Sequence, residues 1–332
     1  MHWLTWIVEP GFFASQPVRI AAAVGGGAAV VSALVGVFTV VRGQSFAGHA
    51  LTDVSTAGGS GAVLLGVHPL LGFVGFGVFG AGVMDAIGIR KVRGRDLATG
   101  IVLGASIGLA ALILYLDTTV HATTGAAQQI LFGSIFATTS STIPLVVGFG
   151  SGALAILAVI YRPLLLHTVS GDIAAARGVP VRMVGLSFMV ALAVAVGLSS
   201  LAIGAILSTA LLVGPAATAL RLTTRFGHAL VLASVLGAAS TWLGVLFAYD
   251  SYYWVSGHRG LPVSFFVVAI VFVGYLLSGI PARRRNGGRG GRPAPRPGDS
   301  PTVPWPRGGT DAPVVGVTKV TEREDVSKVA VG

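Results

Sequence analysis

Apolar stretches long enough to cross a bilayer recur along most of the chain, separated by short polar connections. They run at 18–41, 47–67, 70–88, 97–116, 143–161, 181–201, 202–222, 229–247 and 262–280. A helix rises 1.5 Å per residue, so about 20 apolar residues span the hydrocarbon layer. The pattern therefore predicts about nine transmembrane helices. The run 181–222 is almost continuous, and Gly204 with small polar neighbours is its only turn signal. Segment 125–139 is too short to cross and reads as a partial or re-entrant helix. The roughly ten-residue alternating segments of a membrane barrel are absent, so the expected fold class is all-α, a polytopic membrane helical bundle.

Composition sharpens this picture. Hydrophobic residues make up 53% of the chain and charged residues 10%, and most of the 48 glycines lie inside the apolar runs. Small residues there let helices approach closely. With no cysteine, disulfides, thiolate metal sites and cysteine nucleophiles are excluded. The net charge of +10 would suggest nucleic acid in a soluble protein. Here the basic residues sit in connections and in the tail, so no nucleic-acid partner is expected. The clusters are Arg90-Lys91-Val92-Arg93-Gly94-Arg95, Arg162 with Arg177 and Arg182, Arg221 with Arg225, and Arg283-Arg284-Arg285. Nine spans put all four on one side, which predicts an outside N-terminus and a cytoplasmic C-terminus. Arg19 and Arg259 fall on the other side. Residues 1–17 carry neither a basic n-region nor a small-residue cleavage site, so the first span is expected to act as its own signal. The domain division is 1–280 for the membrane domain and 281–332 for a disordered basic, Gly/Pro-rich tail lying against anionic lipid.

Chemistry concentrates in Arg42-Gly43-Gln44-Ser45-Phe46-Ala47-Gly48-His49-Ala50-Leu51-Thr52-Asp53. His49 and Asp53 are four residues apart and share one helix face. An imidazole and a carboxylate within a membrane are costly unless paired or used, so the pair is a candidate cation site. A helix-stabilising pair, or a snorkelled pair near Arg42, is the competing reading. Asp117 and His121 repeat the spacing near another span end and are a possible vestibule contact. Gln128, Gln129 and Ser134 either line a pathway or satisfy buried backbone at a re-entrant turn. Asp85 is expected to pair with the Arg90 cluster, and His68 before Pro69 is expected to be a solvated turn residue. Ser199, Ser200, Ser208 and Thr209 read as interhelical hydrogen-bonding residues. The connection 167–180 reads as a short surface helix, capped by Ser170 or Asp172 and ended by Gly178 and Pro180. Metalloprotease and nucleophile-elbow motifs are missing, so the chain is not expected to be an enzyme.

The segments 37–51, 95–102 (Arg95-Asp96-Leu97-Ala98-Thr99-Gly100-Ile101-Val102), 131–135 (Leu131-Phe132-Gly133-Ser134-Ile135), 172–180 and 204–219 occur in an order and spacing that resembles the permease subunit of bacterial ABC importers for divalent metals, the zinc and manganese uptake family. The resemblance covers about 12–280 and excludes the tail. It implies a multi-pass protein of the bacterial cell membrane. It further implies a homodimeric permease with a central pathway, a separate cytoplasmic ABC ATPase and an extracytoplasmic metal-binding protein. Asp172, Ala175, Arg177 and Gly178 would form the coupling helix, and His49 and Asp53 the metal site. Supply of the ATPase in trans agrees with the lysines: Lys91, Lys319 and Lys328 are all of them, and none follows a glycine as a phosphate-binding loop requires. The family usually has an acid at the position of His49 and a histidine at that of Asp53, and often an aspartate at that of Ser134. The exchange preserves one imidazole and one carboxylate on one face.

Two such pairs from two protomers would make an N2O2 set suited to zinc, with manganese or iron as alternatives. No cofactor is expected to reside on the chain; the divalent metal ion is cargo. The competing functions are a proton-coupled secondary transporter or channel, and an ABC permease for a siderophore or vitamin. The first would commonly show two similar halves, and none is visible. The second would favour a wide aromatic cavity.

Overall fold

The structure is a computed structural model that describes residues 12, 14–87, 92–120, 124–133, 135–254 and 260–287. Side chains at 87, 92–99, 120, 124, 126, 253–254 and 280–287 fall outside that description. Helices account for almost all of it. In order they are α1 (Gln16–Val41), α2 (Ser45–Leu64), α3 (Pro69–Ile87), α4 (Val92–Val120), α5 (Thr124–Phe132), a 3-10 turn (Ile135–Ala137), α6 (Thr142–Val169), α7 (Gly171–Ala176), α8 (Val181–Ile203), α9 (Ala205–Leu222), α10 (Phe226–Trp254) and α11 (Val263–Gly287). No strand occurs among the described residues.

Each expected span corresponds to one long helix. Seven of them, α1, α3, α4, α6, α8, α9 and α10, are long and apolar enough to cross a membrane. The apolar part of α11 is shorter, Val263–Gly279. The 20 residues of α2 are long enough but diluted by Thr52, Asp53, Ser55, Thr56 and Ser60. A helix this polar in a bilayer must turn its polar side chains toward protein or water, and Thr52, Ser55, Thr56 and Ser60 are buried within the bundle. The last helix runs to Gly287, past the boundary expected at 280. The rest of the expected tail, 288–332, lies outside the described residues.

The central element is α8, with 78% of its most apolar window buried and packed against α1, α3, α6 and α9. Close helix approach rests on small residues. On α2 and α3, a Cβ on Gly58 would overlap the carbonyl oxygen of Gly72, and one on Gly72 that of Gly58. Only glycine at both positions lets the two backbones touch. Near one end of the bundle, Phe38 of α1 stacks edge-on against Tyr161 and Phe226, with ring centroids 5.9 and 5.0 Å apart.

The weak turn signal at Gly204 marks a real break. Gly204 adopts φ 85°, ψ 159° and separates α8 from α9. It packs against the tip of the short α5 segment. A Cβ on Gly204 would overlap Gly133 N, Leu131 O and Phe132 C, and one on Gly133 would lie 2.6 Å from Gly204 N. The expected partial helix thus folds in against α2, α8 and α9 and ends at a backbone-to-backbone contact.

At the opposite end from the Phe38 cluster, His68 is more constrained than a solvated turn residue. Its Nδ1 accepts from Leu70 N at 3.2 Å and its Nε2 lies 3.0 Å from Thr142 Oγ1. A ring that accepts at Nδ1 must be neutral, and burial lowers its pKa from the ordinary 6.5. The folded state therefore holds fewer protons than the unfolded chain. His68's contribution is complete above pH 6.5 and is lost as the pH falls through the lower folded value. Melting of the detergent-solubilised protein is expected to drop modestly on acidification below pH 6.5, and less in His68→Ala. Identical pH profiles would show that the ring does not carry this dependence.

Candidate functional site

Residues Arg42 to Gln44 turn the chain from α1 into α2, and the polar face of α2 follows at once. Along that face, Thr52, Thr56 and Ser60 return their hydroxyls to carbonyls one turn back, Gly48 O, Thr52 O and Ser60's acceptor Thr56 O, at 3.0, 2.7 and 2.8 Å. The hydroxyls are thus satisfied locally, whereas the His49 and Asp53 side chains are not. His49 is exposed on the surface of the single chain, and its Nδ1 lies 3.2 Å from Thr209 Oγ1 on α9. Asp53 is half-buried one turn further on, and its Oδ2 is buried without a hydrogen-bond partner. A buried carboxylate oxygen without a donor costs free energy unless a cation occupies the site.

The pair supplies two ligands. No group of three or more His, Cys, Asp or Glu side chains that could hold a metal occurs among the described residues. Asp117 is buried on α4 but does not join such a group. Gln128 and Gln129 are exposed on α5. His121 and Ser134 lie outside the described residues.

The expected surface helix forms as α7. Ser170 caps it, its Oγ accepting from Ile173 N at 3.3 Å, while Asp172 sits in the first turn. Gly178, at φ 76°, ends it. Only Ala174 is buried; Asp172, Ala175, Arg177 and Gly178 are exposed. The helix is thus fixed to the bundle by one alanine and open to a partner on its other residues.

A contact that sequence reasoning missed joins this region to α2. Arg42 donates from Nη1 to Thr168 Oγ1 at 3.3 Å and approaches His167 Nδ1 at 3.4 Å, at the end of α6 just before α7. It also donates to Gln44 Oε1 at 3.2 Å and lies 5.2 Å from the centre of the Phe188 ring on α8. One guanidinium therefore holds the entrance to α2, the root of α7 and α8 together. Asp85 pairs with Arg182 at 3.3 Å; the side chains of the Arg90 cluster, its expected partners, lie outside the described residues. Arg182 follows α7 at the start of α8, so Asp85 fixes the far side of the same connection. Of the four expected interhelical hydroxyls, Ser208 and Thr209 reach α2, at Thr52 Oγ1 (3.4 Å) and His49. Ser199 instead bonds carbonyls of its own helix.

Known proteins place the chain in a family. The family model described as ABC 3 transport family matches residues 16–278, all but the ends of the chain. The chain belongs to the ABC 3 transport family. Among similar proteins, the manganese transport system membrane protein MntC of Halalkalibacterium halodurans is 30% identical over 223 residues, 67% of this chain and 75% of that protein. The manganese import system permease protein ScaB of Streptococcus parasanguinis is 28% identical over 221 residues, 67% of this chain and 78% of its own length. The solved PsaBC from Streptococcus pneumoniae in complex with Fab has the same fold. It matches with a TM-score of 0.72 at 24% identity, over 84% of this chain and 97% of that one. This family member is a multi-pass membrane permease of the metal ABC-importer type, as the sequence resemblance implies.

Proposed function

We propose that this chain forms the translocation pathway of an ATP-driven importer of manganese ions, acting as a homodimer driven by a separate ATPase and supplied by an extracytoplasmic metal-binding protein. The observation that carries the reading is the His49–Asp53 face of α2, with an exposed imidazole and a carboxylate oxygen lacking a partner. A second protomer presenting the same face completes an N2O2 set from two imidazoles and two carboxylates. Four ligands of mixed type bind a divalent ion without the tight cage that would prevent release. Zinc, iron and manganese all accept such ligands; the names of the two relatives favour manganese over the zinc preferred from ligand type alone.

In this reading α7 is the coupling helix. ATP binding and hydrolysis in the partner displace the exposed face of Asp172, Ala175, Arg177 and Gly178, and Arg42 passes the displacement to the start of α2. The end of α7 at Arg177, the start of α8 at Arg182, and the turn from α9 to α10 with Arg221 and Arg225 are cytoplasmic, by the positive-inside rule, with the N-terminus outside. Residues 1–280 form the permease domain, and 281–332 are a cytoplasmic tail against lipid.

The test is uptake of radioactive manganese by cells expressing this chain with and without its ATPase, in competition with zinc and iron. Uptake is expected only with the ATPase, and manganese is expected to be preferred. Uptake without the ATPase would favour a secondary carrier. An assembled complex that moves none of the three metals would point to a siderophore or vitamin cargo.

A further inference from the structure

We infer that Thr209 is a positioning residue for the ion, holding the His49 imidazole by Nδ1 so that Nε2 alone is presented to the metal; this rests on the proposed His49–Asp53 site. The two residues lie on different helices, with Nδ1 and Oγ1 3.2 Å apart. A threonine hydroxyl can donate or accept, so it occupies Nδ1 in either imidazole tautomer. Nε2 is then the ring nitrogen left for a ligand, and the ring loses its freedom to flip. Partners of this kind commonly orient metal-ligating histidines.

A second observation separates Thr209 from its neighbours. Thr39, Thr52, Thr56, Thr218 and Thr241 each return the hydroxyl to the carbonyl four residues back in their own helix. That is the ordinary state of a threonine inside a helix, because the β-branched side chain can reach the preceding turn. For Thr209 the corresponding acceptor is Ala205 O, and Ser208 Oγ already donates to it at 3.0 Å. Ser208 Oγ also reaches Thr52 Oγ1 on α2, so consecutive hydroxyls on the second turn of α9 meet α2 one turn apart. The break at Gly204 starts α9 at the level that brings Thr209 opposite His49.

Thr209 also lines a cavity of about 440 Å3 together with Ser45, Val213, Val271 and Tyr275, between the start of α2, α9 and α11. Thr209 therefore both contacts the histidine and borders open space.

The test is direct Mn2+ binding to the full chain in lipid nanodiscs, with melting temperature measured alongside. Thr209→Val keeps shape and branching but lacks the hydroxyl, and is expected to raise the Mn2+ dissociation constant roughly 10–100-fold, the usual cost of losing such a partner. Thr209→Ser restores the hydroxyl and is expected to bind near the wild-type level. Melting should be unchanged in both. If Thr209→Val misfolds, Thr209→Ala carries the same expectation. Wild-type affinity in the valine variant, or failure of serine to rescue, overturns the inference. His49→Ala separates the two levels. Loss of binding there with wild-type binding in Thr209→Val removes the positioning role alone, whereas wild-type binding in His49→Ala removes the proposed site and the inference with it.

Discussion

Replacing His49 and Asp53 together by alanine is expected to reduce manganese uptake to the level of cells lacking the permease, while the protein still folds and assembles. The two halves of this expectation have separate physical grounds. Uptake fails because the pair is the one place on α2 where ligands for a divalent ion lie a helical turn apart on an accessible face, and two alanines leave no donor there. Stability survives because neither side chain is supported by the fold in a way that truncation would undo. His49 is exposed, so its removal opens no cavity. Asp53 has one buried oxygen without a partner, so its removal relieves a desolvation cost and strands no donor. Melting temperature at or slightly above wild type, with uptake at background, is the predicted combination. Unchanged uptake would remove the site. Loss of both uptake and folding would mean that the pair is structural, which is the competing reading of the i,i+4 spacing.

Gly204→Ala is expected to have the largest effect on the fold. At φ 85° and ψ 159° the backbone occupies a region essentially restricted to glycine, and holding another residue there costs about 1–3 kcal/mol. The added Cβ would also overlap Gly133 N, Leu131 O and Phe132 C. These are backbone atoms, which cannot rotate away as a side chain would. Relief requires withdrawing the α5 tip or shifting the start of α9, and the second moves Thr209 from His49. The expected outcome is a clear fall in melting temperature together with weaker manganese binding. Gly185→Ala is the control. It lies within α8, with no atoms near the added Cβ, so it should be neutral or slightly stabilising. Equal melting of the two variants would show that the break tolerates a side chain.

The long elements were legible in the chain because membrane spans announce themselves locally. A helix in lipid must satisfy its own backbone and present apolar side chains, so each of the nine runs carried its own evidence. The ends were less legible. α6 reaches Val169 and α11 reaches Gly287, beyond the boundaries expected at 161 and 280, since a helix can continue into the polar interface after its apolar run ends. Gly204 was readable as a turn, because glycine among small polar residues is a local signal. Its engagement with Gly133 was not, since that depends on a segment some seventy positions away.

The candidate site divides in the same way. The spacing of His49 and Asp53 follows from helical periodicity, and the capped, glycine-terminated α7 follows from its own residues. Thr209 beside His49, Arg42 at the root of α7 and Arg182 opposite Asp85 join positions far apart in sequence. Helical periodicity says which face a side chain occupies; it does not say which helix covers that face.

By itself, therefore, the sequence determined a helical membrane bundle, its spans, its basic end and the one turn of helix where an imidazole and a carboxylate share a face. The tertiary structure decided which groups hold that imidazole, which oxygen of Asp53 is buried without a partner, and how the start of α2 is tied to α7. The physical reason is range. Hydrophobic periodicity and capping act over a few residues, whereas hydrogen bonds between helices depend on how small residues let distant segments close together.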